Sequence, residues 1–251
     1  MKKFLSSAFG AYREYRSFKK QSKIYKIFNY AFISLVAAYF LTVAFPQYLF
    51  AHEVSHKNFK VYSRQPLDEN IDKVLDSAEA RLAKSPIYDE SIARKVFLTD
   101  SYGLYTFLSN KAFRSFANSI PGIDNILINK SDAANDLVFM NRAEHNKRSL
   151  SGVIAHEVTH LFIKKKFGWA RVVATIPTWK KEGYCEYVAG DDTLTYEEGI
   201  KYLKENPDKP SYFKYYLMVK YLIEKEGLSV EDLFNRDFDE KKLETEVFAN
   251  L

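Results

Sequence analysis

The sequence predicts an α+β protein, with a small mixed sheet followed by a helical lobe and one transmembrane helix ahead of both. Three observations carry this. Residues 27–51, "IFNYAFISLVAAYFLTVAFPQYLFA", run for 25 residues without a charge. Short stretches of strand character lie between residues 58 and 140, and from about residue 149 helical spacing prevails. Strands first and helices afterwards is the order of an α+β domain.

The apolar run comes first. Residues 1–26 hold eight Lys/Arg against Glu14 alone, leaving 29 basic and 31 acidic residues in the rest of the chain. The net charge of +5 is therefore concentrated ahead of the run, and the balance beyond it suggests no surface for nucleic acid. About 20 residues at ~1.5 Å rise cross the hydrocarbon core. The expectation is a single-pass anchor in the cell membrane over residues 27–50, with residues 1–26 cytoplasmic and the rest extracytoplasmic, by the positive-inside tendency. A cleaved signal peptide is the rival, since Thr42-Val43-Ala44 is a passable cleavage site. The long basic region and the lack of a clean A-x-A favour an uncleaved anchor. The lone Cys185 excludes an intramolecular disulfide.

"NFKVYS" (58–63) alternates like a strand, and "DENIDKVLDSAEARLAK" (68–84) sets Ile71, Val74, Leu75, Ala78 and Leu82 at helical spacing. Further strands are expected in "KVFLT" (95–99), "NILINK" (125–130) and "DLVFM" (136–140). Helices are expected over 149–166, 178–189, 196–205, 211–226 and 229–235, with breaks at "NPDKPS" (206–211) and "EGLS" (226–229). The expected organisation is thus a basic segment 1–26, an anchor 27–50, a sheet-containing lobe 51–148 and a helical lobe 149–251.

Chemistry is concentrated in the histidines. Four of the five sit in two near-identical hexapeptides, "AHEVSH" (51–56) and "AHEVTH" (155–160). Both fit His-Glu-x-x-His, which on a helix presents two imidazoles one turn apart, suited to one zinc ion at about 2.0–2.1 Å. "SLSGVIAHEVTHLFIKKKFG" reads as such a helix, with Ser149 or Ser151 to cap it, so His156 and His160 are candidate zinc ligands. Glu157 is the candidate general base. "PTWKKEGYCEYVAG" (177–190) follows, and Glu182 is the natural third ligand. Two histidines and a carboxylate leave a fourth position open for water, as in catalytic zinc sites. Glu186, four residues on, shares the face of Glu182 and is placed to orient a ligand histidine through its free ring N–H.

"VIAHEVTHLF" and "PTWKKEGYCEYVAG" resemble the gluzincin-type metallopeptidases, the thermolysin-like and M1-like clan, whose members read much like W-x-x-E-G-x-A-x-Y. The resemblance implies a zincin-like domain, Zn²⁺ as cofactor, a peptide or protein substrate, and the Glu182 of Glu182-Gly183 as third ligand. Cys185 stands where the clan usually has alanine, which reads as a small packing position, with a ligand role the alternative because it lies beside the metal. M1-like relatives carry an oxyanion-supporting tyrosine nine residues before the tyrosine of a Tyr-Leu pair. Tyr212 stands in that relation to Tyr221-Leu222, with Tyr215 and Tyr216 as neighbouring alternatives. The clan also places a substrate-receiving edge strand ahead of the zinc helix, and "DLVFM" is the expectation for it. The G-x-M-E-N motif of M1 aminopeptidases is absent, which favours endopeptidase over aminopeptidase action.

The implied reaction is hydrolysis by water activated on zinc, with Glu157 as general base and Tyr212 supporting the charge on the carbonyl oxygen. The second motif, "AHEVSH", leaves the apolar run and enters a strand pattern, and no W-x-x-E-G segment follows it in the usual window. A polar exit from a membrane accounts for it without metal. Two other functions share these residues: a non-catalytic peptide-binding scaffold that keeps the fold, and a zinc hydrolase of a non-peptide amide.

Overall fold

The computed structural model describes Gly10 and residues 12–19, 22–109, 114–119, 122–142, 145–190, 195–206 and 211–249. Most of the "NPDKPS" break and the first nine residues of the basic segment lie outside the described residues. The chain divides into two compact units, Met1–Pro46 and Gln47–Leu251.

In the first unit residues 12–19 are helical, and helix α1 (Lys23–Ala44) follows. Ser22 caps α1 by accepting from the Tyr25 N–H. α1 is long and apolar enough to cross a membrane, and none of its residues is buried within the protein. The helix stops at Ala44, short of residue 50, because Pro46 cannot continue it and opens a 3₁₀ turn over Pro46–Leu49.

The second unit is mixed α+β. Strands β1 (His52–His56), β2 (Phe59–Ser63), β3 (Arg94–Leu98), β4 (Ala117–Ser119) and β5 (Asn125–Ile128) form a sheet in the order β1-β2-β3-β5-β4. β2, β3 and β5 run parallel, and β1 and β4 are antiparallel at its two ends. The parallel β2–β3 pair is joined through α2 (Ile71–Leu82), and α3 (Tyr102–Ser109) lies between β3 and β4. Strand periodicity sorts the side chains. Val61, Val96, Ile126 and Ile128 enter the main core, which includes Leu75 and Leu82 of α2. The alternate residues Tyr62, Phe97 and Leu127 form a second, smaller core with Tyr105 and Leu108 of α3. Tyr62 stacks on Phe97 with centroids 4.7 Å apart.

A separate three-stranded antiparallel sheet holds β6 (Ser131–Asp132), β7 (Leu137–Phe139) and β8 (Lys147–Ser149), in that order. This corrects the expectation for "DLVFM": β7 is a strand, but it is the central one, paired on both sides. Its neighbours are two and three residues long, too short to register as periodic patterns. The edge that packs on the following helix is β4, where Lys164 Nζ reaches Ser119 Oγ at 3.3 Å.

The helices of the C-terminal half are α4 (Leu150–Phe167), α5 (Trp169–Ala174), α6 (Thr178–Ala189), α7 (Tyr196–Glu205), α8 (Tyr212–Lys220), α9 (Val230–Asn235) and α10 (Glu240–Ala249). Four of the five expected helices match to within a residue or so. The expected helix 211–226 instead changes from α8 into a π turn at Tyr221–Lys225. α6 packs closely on α8 because Gly183 has no side chain: a Cβ there would meet the Tyr215 carbonyl and lie 2.8 Å from Val219 Cγ2. α6 ends at Gly190 in the left-handed conformation (φ 60°), suited to glycine.

Candidate metal centre

α4 is held at its start by two acceptors. Ser149 Oγ accepts from the Gly152 N–H at 3.0 Å, which identifies the cap. Asp136, in the left-handed region (φ 50°), turns its carboxylate onto Ser151, accepting from N–H and Oγ at 2.7 Å each. Asp and Asn tolerate that backbone conformation better than other side-chain-bearing residues. Leu150–Thr159 and Leu161–Ile163 are all buried, so α4 is enclosed on nearly every side, with polar His156 and Glu157 inside.

His156 and His160 project from one face with ring centroids 5.0 Å apart. Glu182 comes across from α6, its Oε2 3.3 Å from His156 Nε2 and 3.4 Å from His160 Nε2. A tetrahedral zinc with donors at 2.0–2.1 Å separates those donors by about 3.3–3.4 Å. The two measured separations match that spacing, so Glu182 could share one ion with either imidazole. Cys185 also lies close, its Sγ grouping with one nitrogen of each imidazole within 4.8 Å. Burial and the charges of Glu182 and Glu157 push its thiol pKa well up, so it stands as a neutral thiol. Burial opposes ionisation of Glu182, but the two imidazoles outweigh it and hold the carboxyl far below its ordinary range. Of the two acidic groups, Glu182 is the ready anionic ligand.

The other ring nitrogen of His156, Nδ1, lies 3.0 Å from Glu186 Oε1, at an angle short of a well-formed hydrogen bond. Glu186 is clamped in turn by Arg148 of β8, with Nη1–Oε1 at 2.9 Å and Nη2–Oε2 at 2.8 Å. Both partners are buried. Burial raises the Glu186 pKa, yet Arg148 and then His156 reverse the shift and lower it. Burial lowers the His156 pKa, while Glu186 and Glu182 overcome this and raise it.

Glu157 is 8 % exposed, and no hydrogen bond or ion pair from another described residue engages its carboxylate. Its oxygens are not among the buried side-chain atoms left without a partner, so the carboxylate faces open space within the site. Tyr212 of α8 stands with its ring 6.1 Å from that of His156, while Tyr216 packs on Phe213. Tyr212 is 52 % exposed. The protein around it, and then Glu182 and Glu157, nevertheless push its phenol pKa up, so the hydroxyl keeps its proton.

The six residues singled out from sequence therefore meet at one place: His156, Glu157, His160, Glu182, Glu186 and Tyr212. Arg148 was not among them. It lies 38 positions from Glu186 in a three-residue strand without a pattern of its own.

The second hexapeptide is built differently. "HEVSH" is strand β1, paired antiparallel with β2 from His52↔Ser63 to His56↔Phe59. Four residues of strand separate His52 and His56 by about 13 Å, beyond the reach of one ion. His56 lies between Asp76 (2.8 Å) and Asp72 (3.4 Å) of α2, while Glu79 is ion-paired to buried Arg94. No family model and no curated protein matches the chain.

Proposed function

We propose that the protein is a membrane-anchored, zinc-dependent peptidase with a zincin-like catalytic domain. The observation that carries this reading is the convergence of Glu182 on both His156 and His160, at 3.3 and 3.4 Å, beside a Glu157 carboxylate that has no hydrogen bond or ion pair among the described residues.

Zinc held there would polarise a scissile carbonyl and acidify water, the chemistry that amide hydrolysis requires at neutral pH. Glu157, next along the helix from His156, takes the proton from the attacking water and returns it to the leaving amine. Tyr212, with its hydroxyl kept protonated, donates to the carbonyl oxygen as charge grows on it. Arg148 and Glu186 hold the ring of His156 with Nε2 turned inward. β4, last in the sheet order among the described residues, would offer backbone groups to an extended peptide alongside α4. α1 serves as the anchor, with the basic segment on the cytoplasmic side.

Cys185 favours a second reading. With Cys185 as a fourth protein ligand beside Glu182 the site would be closed, as structural zinc sites are, and the protein would be a peptide-binding scaffold. The discriminating experiment uses the purified full-length chain, measuring its zinc content and its cleavage of a broad peptide library. One zinc with cleavage supports the peptidase. One zinc without any cleavage supports the scaffold, or a non-peptide amide as substrate. A chain that takes up no zinc contradicts all of these.

A further inference from the structure

The first unit carries a feature that zinc chemistry does not use. Residues 12–19 and the start of α1 flank an open cleft of ≈ 720 Å³ lined by Arg13, Arg16, Lys19, Tyr25, Lys26 and Tyr30, with no acidic residue among the described residues that line it. None of the four cations is ion-paired to a carboxylate among the described residues. Lys19 lies over the rings of Tyr15 and Tyr25, at 5.0 and 5.1 Å, which draws the short helix back against the first turn of α1. Four cations border this one open, solvent-exposed space, which makes it locally positive.

We propose that this cleft binds the phosphate of an anionic phospholipid headgroup. The source of the phosphate follows from its surroundings. The cleft sits at the end of a helix of 22 residues, about 33 Å long, so α1 crossing a bilayer leaves its first turns at headgroup level. Tyr12, Tyr15 and Phe18 follow one another at three-residue spacing and are all exposed. Such a row on a basic helix belongs at the membrane interface, which is where a lipid phosphate, and not a free one, is concentrated. Tyr25 and Tyr30 add hydroxyls suited to phosphate oxygens. The proposal rests on α1 being a membrane anchor and is independent of the zinc site.

The test uses the full-length chain in nanodiscs of phosphatidylcholine with a minority of phosphatidylglycerol, re-extracted in neutral detergent. Retained phosphatidylglycerol is counted by native mass spectrometry. Wild type is expected to keep bound phosphatidylglycerol. Arg16→Gln and Lys26→Gln should each weaken retention about fivefold, and the pair about 25-fold. Lys23→Gln removes a like charge from the turn of Lys26 but outside the lining, so a headgroup seated in the cleft is not touched and retention should stay within about twofold. A Lys23→Gln loss equal to that of Arg16→Gln overturns the site in favour of diffuse attraction. Displacement of the lipid by millimolar inorganic phosphate overturns the lipid assignment. Release of the chain from membranes by alkaline carbonate overturns the anchor and the headgroup site together, while the zinc measurements above would stand.

Discussion

Arg148 and Glu186 form a bidentate ion pair, 2.8 and 2.9 Å long, with both side chains buried behind the ring of His156. Two charges removed from water hold each other there, and Glu186 passes the constraint to His156 Nδ1. Arg148→Met leaves an uncompensated buried carboxylate and should destabilise the fold by about 3–5 kcal/mol. The double variant Arg148→Met, Glu186→Gln should recover part of that loss. Both should bind zinc about 10–100-fold more weakly than wild type, because the ring of His156 loses its support. Denaturant midpoints and zinc titrations separate the two effects. Unaltered zinc affinity in a folded double variant would show that this pair is structural only.

Glu157→Gln keeps the size and the hydrogen-bonding shape of the side chain but cannot take a proton from water. Zinc content and stability should be unchanged, since Glu157 is not a ligand and makes no hydrogen bond or ion pair with a described residue. Hydrolysis should fall by at least about 10²–10⁴-fold. Full activity in this variant would exclude Glu157 as the base.

Local pattern reaches far in this chain, and stops where pairing is non-local. His156 and His160 share a face of one helix and Glu182 and Glu186 a face of another, which spacing makes legible; that the two faces would meet is implied by the resemblance of the two segments to gluzincin motifs. The twin hexapeptides carry the same five-residue pattern, and nothing inside them distinguishes helix from strand. The difference comes from β2, which pairs with His52–His56 along its whole length, and from Pro46, which ends α1 before the motif begins. Arg148 and the central position of β7 depend on partners distant in sequence or on strands of two and three residues. Such contacts leave no periodic trace in the chain.

Metal uptake should be coupled to protons. In the metal-free protein Glu186 and Glu182 raise the His156 pKa, whereas zinc requires the neutral imidazole. Zinc affinity should therefore keep rising with pH beyond the ordinary imidazole value of about 6.5. Calorimetry in buffers of different ionisation enthalpy should record proton release at pH 7. The sign for metal-free stability is opposite: the raised imidazole contributes fully below about pH 6.5, and that contribution is lost as pH rises through its higher folded value. Zinc affinity that levels off near pH 6.5 would contradict this coupling.

Gly183 should tolerate no side chain. The Cβ of Gly183→Ala would press on the Tyr215 carbonyl and on Val219 Cγ2, neither of which is a flexible side-chain end. Separating α6 from α8 should cost about 1–3 kcal/mol, typical of an overfilled core. It should also draw Tyr212, on α8, away from His156. The expected outcome is a lower urea midpoint together with a fall in kcat larger than that in zinc affinity. An unchanged midpoint would mean that the helices separate without cost.

The third ligand can be decided by a pair of variants. Glu182 lies 3.3–3.4 Å from both imidazole nitrogens and is already ionised, so Glu182→Ala should lose most of the zinc affinity. Cys185 is buried, with its thiol pKa raised, and Cys185→Ala should retain zinc within about tenfold. Cobalt substitution adds a readout independent of affinity. A thiolate ligand produces an intense sulfur-to-cobalt charge-transfer band, and a two-histidine, one-carboxylate site lacks it. The band should be absent in wild type. Its presence in wild type, and its loss in Cys185→Ala, would move the third or fourth ligand to Cys185. If Glu182→Ala loses zinc as well, Cys185 is a fourth protein ligand, and the closed scaffold site would displace the catalytic one because it fills the position that substrate and water need.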